Sequence, residues 1–187
     1  MSQKTPLLNL KGSYFALLAV GLEAAGMFAL DPERWDVLRR ALIMSGFALA
    51  LVFAWLNRSW RPMQLLALGL LLNLAPMLAN GGLMPVTPDN ALRAGFGEEI
   101  ARLHVGDAIP RSKDVLKERG DTTLAPLSDN LVLPQLFPGR AIASPGDVAV
   151  AASVAFAVAS LFWAMAERAF GGRWSRRTQA LNATRQT

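Results

Sequence analysis

Four stretches of nearly uncharged, apolar sequence constrain this chain more than any other feature. Each is about 17–20 residues long, enough to cross about 30 Å of hydrocarbon at about 1.5 Å per residue. A helix of a soluble protein keeps a polar face, whereas these stretches are apolar on all sides. The alternative is a soluble helical protein with unusually apolar helices. The pattern favours an all-α integral membrane protein, a four-helix bundle with spans at residues 12–30, 37–56, 63–80 and 147–168.

A polar segment, residues 81–146, separates the third and fourth apolar stretches. Thr87-Pro88 is a helix-start signal, and apolar residues at helical spacing follow it, so the segment is predicted to be partly helical. A second short helix is predicted over residues 112–119, where Gly120 would end it. The chain has no cysteine, so no disulfide can order this segment. We expect it to be ordered by docking on the helices.

The distribution of Lys and Arg predicts the orientation of the chain. With four spans, both termini lie on one side, and that side is rich in cations: Lys4, Lys11, Arg58, Arg61, Arg168, Arg173, Arg176, Arg177 and Arg185. The positive-inside rule places this side in the cytoplasm and the long loop outside. Residues 1–11 are then a cytoplasmic N-terminus. The alternative, a cleaved signal peptide, is disfavoured because Glu23 interrupts the apolar stretch and no clear cleavage site follows it.

The net charge of +5 is located beside the apolar stretches, mainly in the basic tail at residues 169–187. Such a tail is suited to anionic lipid headgroups. The predicted partners are therefore the lipid bilayer and these headgroups, and no nucleic acid. A membrane-protein partner or a second copy of the chain is a further expected partner.

Three polar side chains in the spans are candidates for an intramembrane cluster. Glu23 and Asn73 lie about 10–12 Å before the outer ends of their helices at about 1.5 Å per residue, and Ser153 lies at a comparable distance from the start of the fourth helix. Interhelical hydrogen bonds of this kind typically contribute about 0.6 kcal/mol. A proton, ion or lipid headgroup site is the second interpretation, because polar groups in hydrocarbon are costly.

The end of the third helix is predicted to form a structural corner. Pro76 removes a backbone hydrogen bond near the helix end, and two glycines permit a sharp turn with positive φ. The residues assigned to the corner are Pro76, Asn80, Gly81, Gly82 and Pro85.

Before the fourth helix, Ser144-Pro145-Gly146-Asp147 matches a capping box. Asp147 is therefore interpreted as a helix cap, with Ser144, rather than as a catalytic acid. One histidine, His104, with Asp107 nearby does not make a metal site. No catalytic residue, metal site or cofactor is predicted.

Three short motifs, taken in order, resemble a family of small bacterial polytopic membrane proteins catalogued only as a domain of unknown function. They are Asn-Gly-Gly-Leu-Met-Pro-Val at residues 80–86, Thr-Leu-Ala-Pro-Leu-Ser-Asp at residues 123–129 and Ser-Pro-Gly-Asp at residues 144–147. The usual family spelling has another residue where Pro145 stands. The resemblance implies a multi-pass protein of the bacterial inner membrane. It implies no activity, catalytic residue or cofactor.

Two functions follow as hypotheses. The first is a structural or accessory subunit or scaffold that presents an ordered outer loop, and it is favoured because no catalytic constellation is visible. The second is a membrane-embedded enzyme or carrier that binds a lipid-like molecule or protons near Glu23 and Asn73. A cavity at that level would favour the second, and a fully packed bundle the first. A channel is a weaker third, because one ionisable group in four helices offers little polar lining.

Overall fold

The computed structural model describes residues 10–133 and 142–183, with side chains described as far as Glu167. Within these ranges the fold is mostly helical. Helix α1 runs Ser13–Ala24 and continues as a π-helical turn, Ala25–Ala29. Three described helices are long and apolar enough to cross a membrane: α2 (Pro32–Leu56), α3 (Arg61–Ala79) and the part Pro145–Glu167 of α6 (Pro145–Ala183). The predicted helical character is thus confirmed, and by length and composition three of the described helices could cross a membrane; α1 with its π-helical turn, Ser13–Ala29, is a shorter apolar helix, so the predicted fourth span stays a prediction.

Two helices extend beyond the membrane spans assigned to them, although the start signal Asp31-Pro32 correctly predicts where α2 begins. Helix α2 begins at Pro32 because the Asp31 side chain caps it, accepting the backbone N–H of Glu33 at 3.0 Å. Helix α6 continues past residue 168, the predicted end of the fourth span, to Ala183. No proline interrupts this extension, and its Ala, Gln, Leu and Arg residues favour helix, although Gly171 and Gly172 within it disfavour helix. The side chains of the basic tail, residues 169–187, lie outside the described part, as do residues 1–9 of the N-terminal segment.

The long helices pack in succession along the chain, α2 against α1 and α3, and α3 against α6. Glycines bring the backbones close together. A Cβ atom on Gly46 of α2 would lie 2.5 Å from Glu23 Cγ of α1, and one on Gly146 of α6 would collide with the Asn73 side chain of α3. The buried core between the helices includes Ile43, Phe47, Ala54, Leu70, Leu74 and Met77.

The segment between α3 and α6, residues 80–144, is called the interhelical segment. It contains α4 (Pro88–Arg93), α5 (Gly97–Ile100) and two small sheets. Strand β1 (Met84–Val86) pairs in parallel with β2 (Asp114–Leu116). Strand β3 (Leu131–Val132) pairs antiparallel with β4 (Ile142–Ala143). Two 3-10 turns, Arg119–Asp121 and Ala125–Leu127, lie between β2 and β3.

The helix predicted over residues 112–119 is wrong, because that stretch contains strand β2. All three β2 residues are buried and paired with β1, so tertiary pairing overrides local helix propensity. The helix predicted from Thr87 does form, with the Thr87 hydroxyl accepting the N–H of Asn90 at 3.3 Å. It divides into α4 and α5 at Gly95, which has a φ of +93°.

The interhelical segment docks on the helices through both apolar and polar contacts. Leu83, Met84 and Val115 belong to the same buried core as the helix residues. Arg39 of α2 is fully buried, and its Nη2 donates to the carbonyl oxygens of Ile109, at 3.0 Å, and of Ser112. A second core lies within the segment and comprises Val86, Ala91, Ala94, Phe96, Ile100, Ile109 and Leu116.

Candidate functional site

A cavity of about 420 Å³ lies where the long helices meet the interhelical segment. Its wall has two parts of different chemistry. The helices supply an apolar part formed by Met27, Ile43, Phe47, Leu70 and Val150. The polar part combines helix and segment residues: Glu23, Asn73, Arg111, Ser112, Lys113, Asp114, Asp129 and Asp147.

Lys113 lies at the centre of the polar part. We call Lys113, Asp114, Asp129 and Asp147 together the Lys113 cluster. The Nζ of Lys113 donates to both carboxylate oxygens of Asp147, at 3.0 and 2.8 Å, and lies 3.8 Å from Asp129 Oδ1. Burial alone would lower the pKa of Lys113, but the attraction of Asp129, Asp147 and Asp114 outweighs burial and raises the pKa. The ammonium group therefore stays charged inside the protein.

Strand pairing places Lys113 in this position. Its carbonyl oxygen accepts the N–H of Met84 at 2.9 Å, immediately before the β1–β2 ladder. The same strand positions Asp129, whose N–H donates to the Pro85 carbonyl oxygen at 3.2 Å. Two residues that are distant in sequence thus reach one cluster through β1.

Asp129 is a buried carboxyl group, with 1% of its surface exposed. Burial is the main cause that raises its pKa, to about 8; Lys113 opposes this shift, while Asp114 and Asp147 add to it. Its Oδ1 has no hydrogen-bond partner among the described residues. The cluster therefore contains a carboxyl group that is protonated at neutral pH beside a charged ammonium group.

Asn73 joins α3 to the start of α6. Its Nδ2 donates to Asp147 Oδ1 at 2.8 Å, and its Oδ1 accepts the Ser144 hydroxyl at 2.5 Å. Ser144 and Asp147 also bond reciprocally, since the Asp147 N–H donates to Ser144 Oγ at 3.0 Å and the Ser144 N–H to Asp147 Oδ2 at 3.1 Å. Asp147 therefore caps α6 and binds Lys113 at the same time.

The structure brings together two of the three intramembrane candidates. Glu23 and Asn73 both line the cavity. Ser153 is buried but is not among the cavity-lining residues, and its hydroxyl donates to the Val150 carbonyl oxygen of its own helix at 2.7 Å.

The corner after α3 is held by Asn80. Its Nδ2 donates to the carbonyl oxygens of Pro76, at 2.7 Å, and Thr123, at 2.8 Å; its Oδ1 accepts the Thr123 N–H and Lys117 Nζ, both at 3.1 Å. Gly81 and Gly82 have φ values of +85° and +94°. Pro85 is buried in β1. This corner fixes the segment that carries Lys113.

Sequence reasoning missed Arg39, Lys113, Asp114 and Asp129. Arg39 could have been identified from the sequence, because a charged side chain inside an apolar helix is costly unless it is paired. The other three are charged residues of a polar segment, which carry no periodicity. His104 is exposed, with Nδ1 3.6 Å from Asp107 Oδ2, and no group of metal-ligating side chains was found among the described residues.

The model of a family described as "Family of unknown function (DUF5317)" matches residues 7–159. The matched range includes every residue that lines the cavity. Neither a curated protein nor a solved structure matches the chain.

Proposed function

Since the chain belongs to DUF5317, a family of unknown function, we propose from its geometry that it binds a lipid-like amphiphile in the cavity between the helices and the interhelical segment. One observation carries this proposal: a single cavity joins an apolar wall from spanning helices to a buried charged cluster. A fully packed bundle would have favoured a scaffold instead.

The size and lining of the cavity suit part of an amphiphile. Pockets that bind small molecules are commonly about 300–1,000 Å³, largely apolar, with a few polar groups that orient the ligand. The hydrocarbon part would contact Phe47, Leu70 and Val150, and the polar end would face the Lys113 cluster. No catalytic step is assigned, because Asp147 is bound to Lys113 and the α6 cap, Asp129 lies beside Lys113, and Asp114 accepts the Ser112 hydroxyl.

The charge balance of the polar lining restricts the head of the ligand. Asp114, Asp129, Asp147 and Glu23 stand against Lys113 and Arg111. With Asp129 protonated, Asp114, Asp147 and Glu23 still offset the charges of Lys113 and Arg111, so the lining has no spare positive charge for a phosphate head and favours an uncharged or cationic one. Hydroxyl and amine heads can donate hydrogen bonds to carboxyl oxygens.

The proposal includes a topology of four passes through the bacterial inner membrane, with both termini in the cytoplasm and the interhelical segment outside. The distribution of Lys and Arg supports it. The neighbouring ends of α1 and α2 also support it, since the Lys11 N–H donates to Asn57 Oδ1 at 2.8 Å. The cavity would then lie at the level of the outer leaflet.

A pair of matched variants tests the binding proposal. Val150 lines the cavity, whereas Val154, one turn further along α6, is exposed and does not line it. Val150→Trp should fill the cavity, and Val154→Trp adds the same bulk elsewhere. Each protein is purified in mild detergent, and retained lipids and other amphiphiles are measured by native mass spectrometry.

We expect one amphiphile per chain in the wild type and in Val154→Trp, and a loss of at least about tenfold in Val150→Trp, equivalent to about 1.4 kcal/mol. Equal retention in both variants would contradict the proposal, as would a wild type that retains no amphiphile while remaining folded.

A scaffold or accessory subunit is the second candidate, and the surface of α6 favours it. Few residues of the part Pro145–Glu167 are fully buried, and Phe162 and Trp163 are 76% and 69% exposed. Such a surface suits lipid, a membrane-protein partner or a second copy. A stoichiometric protein partner in mild detergent, lost on Phe162→Ala but not on Tyr14→Ala at the exposed face of α1, would support this role.

A further inference from the structure

We infer that the chain has a second lipid site, a groove at the far end of the helices that binds the phosphate headgroup of an anionic phospholipid. The groove has a volume of about 680 Å³ and lies where the start of α1 meets the turn between α2 and α3. It shares no lining residue with the candidate site. This inference does not depend on the proposed binding of an amphiphile there.

Asn57 holds the two cationic parts of the groove together. It is buried, and its Nδ2 donates to the carbonyl oxygens of Lys11, at 2.9 Å, and Phe53, at 2.8 Å, while its Oδ1 accepts the Lys11 N–H. The backbone at Lys11 is therefore fixed beside the α2–α3 turn, which carries Arg58. The backbone positions of both cationic residues are therefore set before a ligand arrives.

Arg58 is held on the face of an aromatic ring. Its guanidinium carbon lies 4.6 Å from the centre of the Trp55 ring, and its Nη1 donates to the Trp55 carbonyl oxygen at 3.1 Å. Gln64 Nε2 donates to the Arg58 carbonyl oxygen at 2.8 Å, which ties the turn to α3. Tryptophan is typical of the level of lipid headgroups, so this arrangement presents a guanidinium where phosphates lie.

The charge of the groove is uncompensated. Its lining contains Lys11 and Arg58 but no acidic residue. In the part of the chain that the structure describes, neither cation forms a salt bridge with a carboxylate. Ammonium and guanidinium groups form short, charge-assisted hydrogen bonds with phosphate oxygens.

The remaining lining explains why a lipid, rather than a soluble anion, fits. Ala67, Leu68 and Leu71 continue the groove along α3 beside Leu56 at the end of α2, and Leu68 and Leu71 are 50% and 51% exposed. Because α3 is long and apolar enough to span a membrane, these side chains face hydrocarbon. They offer an apolar track to an acyl chain whose phosphate rests between the cations.

The test compares the binding of phosphatidylglycerol and phosphatidylcholine to the full chain in mild detergent, by native mass spectrometry. Removing one cation near an anionic lipid surface weakens binding by about fivefold. We therefore expect about fivefold weaker phosphatidylglycerol binding for Lys11→Gln or Arg58→Gln, and about 30-fold for the double variant. Phosphatidylcholine binding should change little.

Arg34 supplies the matched control, because it lies over a tryptophan, Trp35, at 5.6 Å near the opposite end of α2. Arg34→Gln should leave the lipid preference unchanged, and Arg58→Lys should keep most of it while showing that the fold tolerates the position. The inference is overturned if Arg34→Gln has the same effect as Arg58→Gln. It is also overturned if inorganic phosphate displaces phosphatidylglycerol at equal concentration.

Discussion

Lys113 and Asp129 lie in different parts of the interhelical segment, yet their side chains are 3.8 Å apart in a buried cluster. A buried ammonium group is costly unless it is paired. Lys113 meets this requirement through Asp147 of α6, so its ion pair holds the segment against the helices. Asp129, next to the same ammonium group, is still buried enough for its pKa to rise to about 8.

The raised pKa of Asp129 predicts a specific pH dependence of stability. A group with a folded-state pKa above its usual 3.8 stabilises the fold fully at pH values below about 4, and this contribution is lost as the pH rises through about 8. We therefore expect the free energy of unfolding of the wild type to fall relative to that of Asp129→Asn between about pH 4 and 8. Thermal unfolding of both proteins in detergent over that range measures the difference.

Lys113 does not mask this effect, because its pKa is raised above 10.5 and its own contribution is lost only in more alkaline solution. Parallel pH profiles for the two proteins would contradict the assignment of a protonated Asp129. A wild type that becomes more stable relative to Asp129→Asn as the pH rises would show an ionised Asp129 instead.

Replacement of Arg39 gives a second prediction at the scale of a single residue. Arg39→Met keeps much of the buried volume but removes the donor to the carbonyl oxygens of Ile109 and Ser112. Each buried carbonyl left unsatisfied costs about 1–3 kcal/mol. We expect faster amide exchange across residues 107–116, measured by hydrogen–deuterium exchange. Arg34→Met, at an exposed arginine of the same helix, is the control, and equal exchange in both variants would refute the prediction.

Among the structural elements, the junction of α3 and α6 has the closest packing. Gly146 allows the first turn of α6 to reach Asn73 and the Gly69 carbonyl oxygen, which a Cβ atom on Gly146 would approach to 2.7 Å. The hydrogen bonds of Asn73 to Ser144 and Asp147 require this approach. Helix packing and the Lys113 cluster therefore depend on the same glycine.

Gly146→Ala should lower the free energy of unfolding by about 1–3 kcal/mol, the usual cost of overpacking, and should weaken the bond between Asn73 and Asp147. Gly21→Ala is the matched control, since a Cβ atom there would meet nothing within 4 Å. The thermal unfolding of the two variants in detergent measures the difference. Equal stability of both variants would show that α6 can shift at no cost.

The sequence predicts the elements whose causes are local. Apolar stretches identify the long helices, and Thr87-Pro88 identifies the start of α4. The helix predicted at residues 112–119 is wrong, because the structure of this stretch depends on β1, a strand that lies far from it in the sequence. Helix α6 continues through Gly171-Gly172, a pair that often ends a helix, so its end could not be located from composition.

At the scale of the whole molecule, the cavity results from helices and segment together. Glu23 and Asn73 are identified in the sequence as polar residues within apolar spans, and both line the cavity. The same rule names Ser153, which bonds to its own helix. Lys113 and Asp129 carry no such signal, because their importance arises only when β1 brings the segment onto the helices. The sequence therefore indicates the helix side of the site and not the segment side.

The proposed topology predicts which parts of the chain are accessible from outside the cell. The chain has no cysteine, so single cysteines introduced by Asp107→Cys and Gln179→Cys can be labelled in intact cells with a membrane-impermeant thiol reagent. Asp107 is 48% exposed in the interhelical segment. We expect labelling of Asp107→Cys in intact cells, and of Gln179→Cys only after permeabilisation, because the cation-rich side remains in the cytoplasm.

Labelling of both variants in detergent is the control for reactivity. The reverse pattern would invert the topology and place the cavity at the inner leaflet, and labelling of both in intact cells would mean that α6 does not cross the membrane.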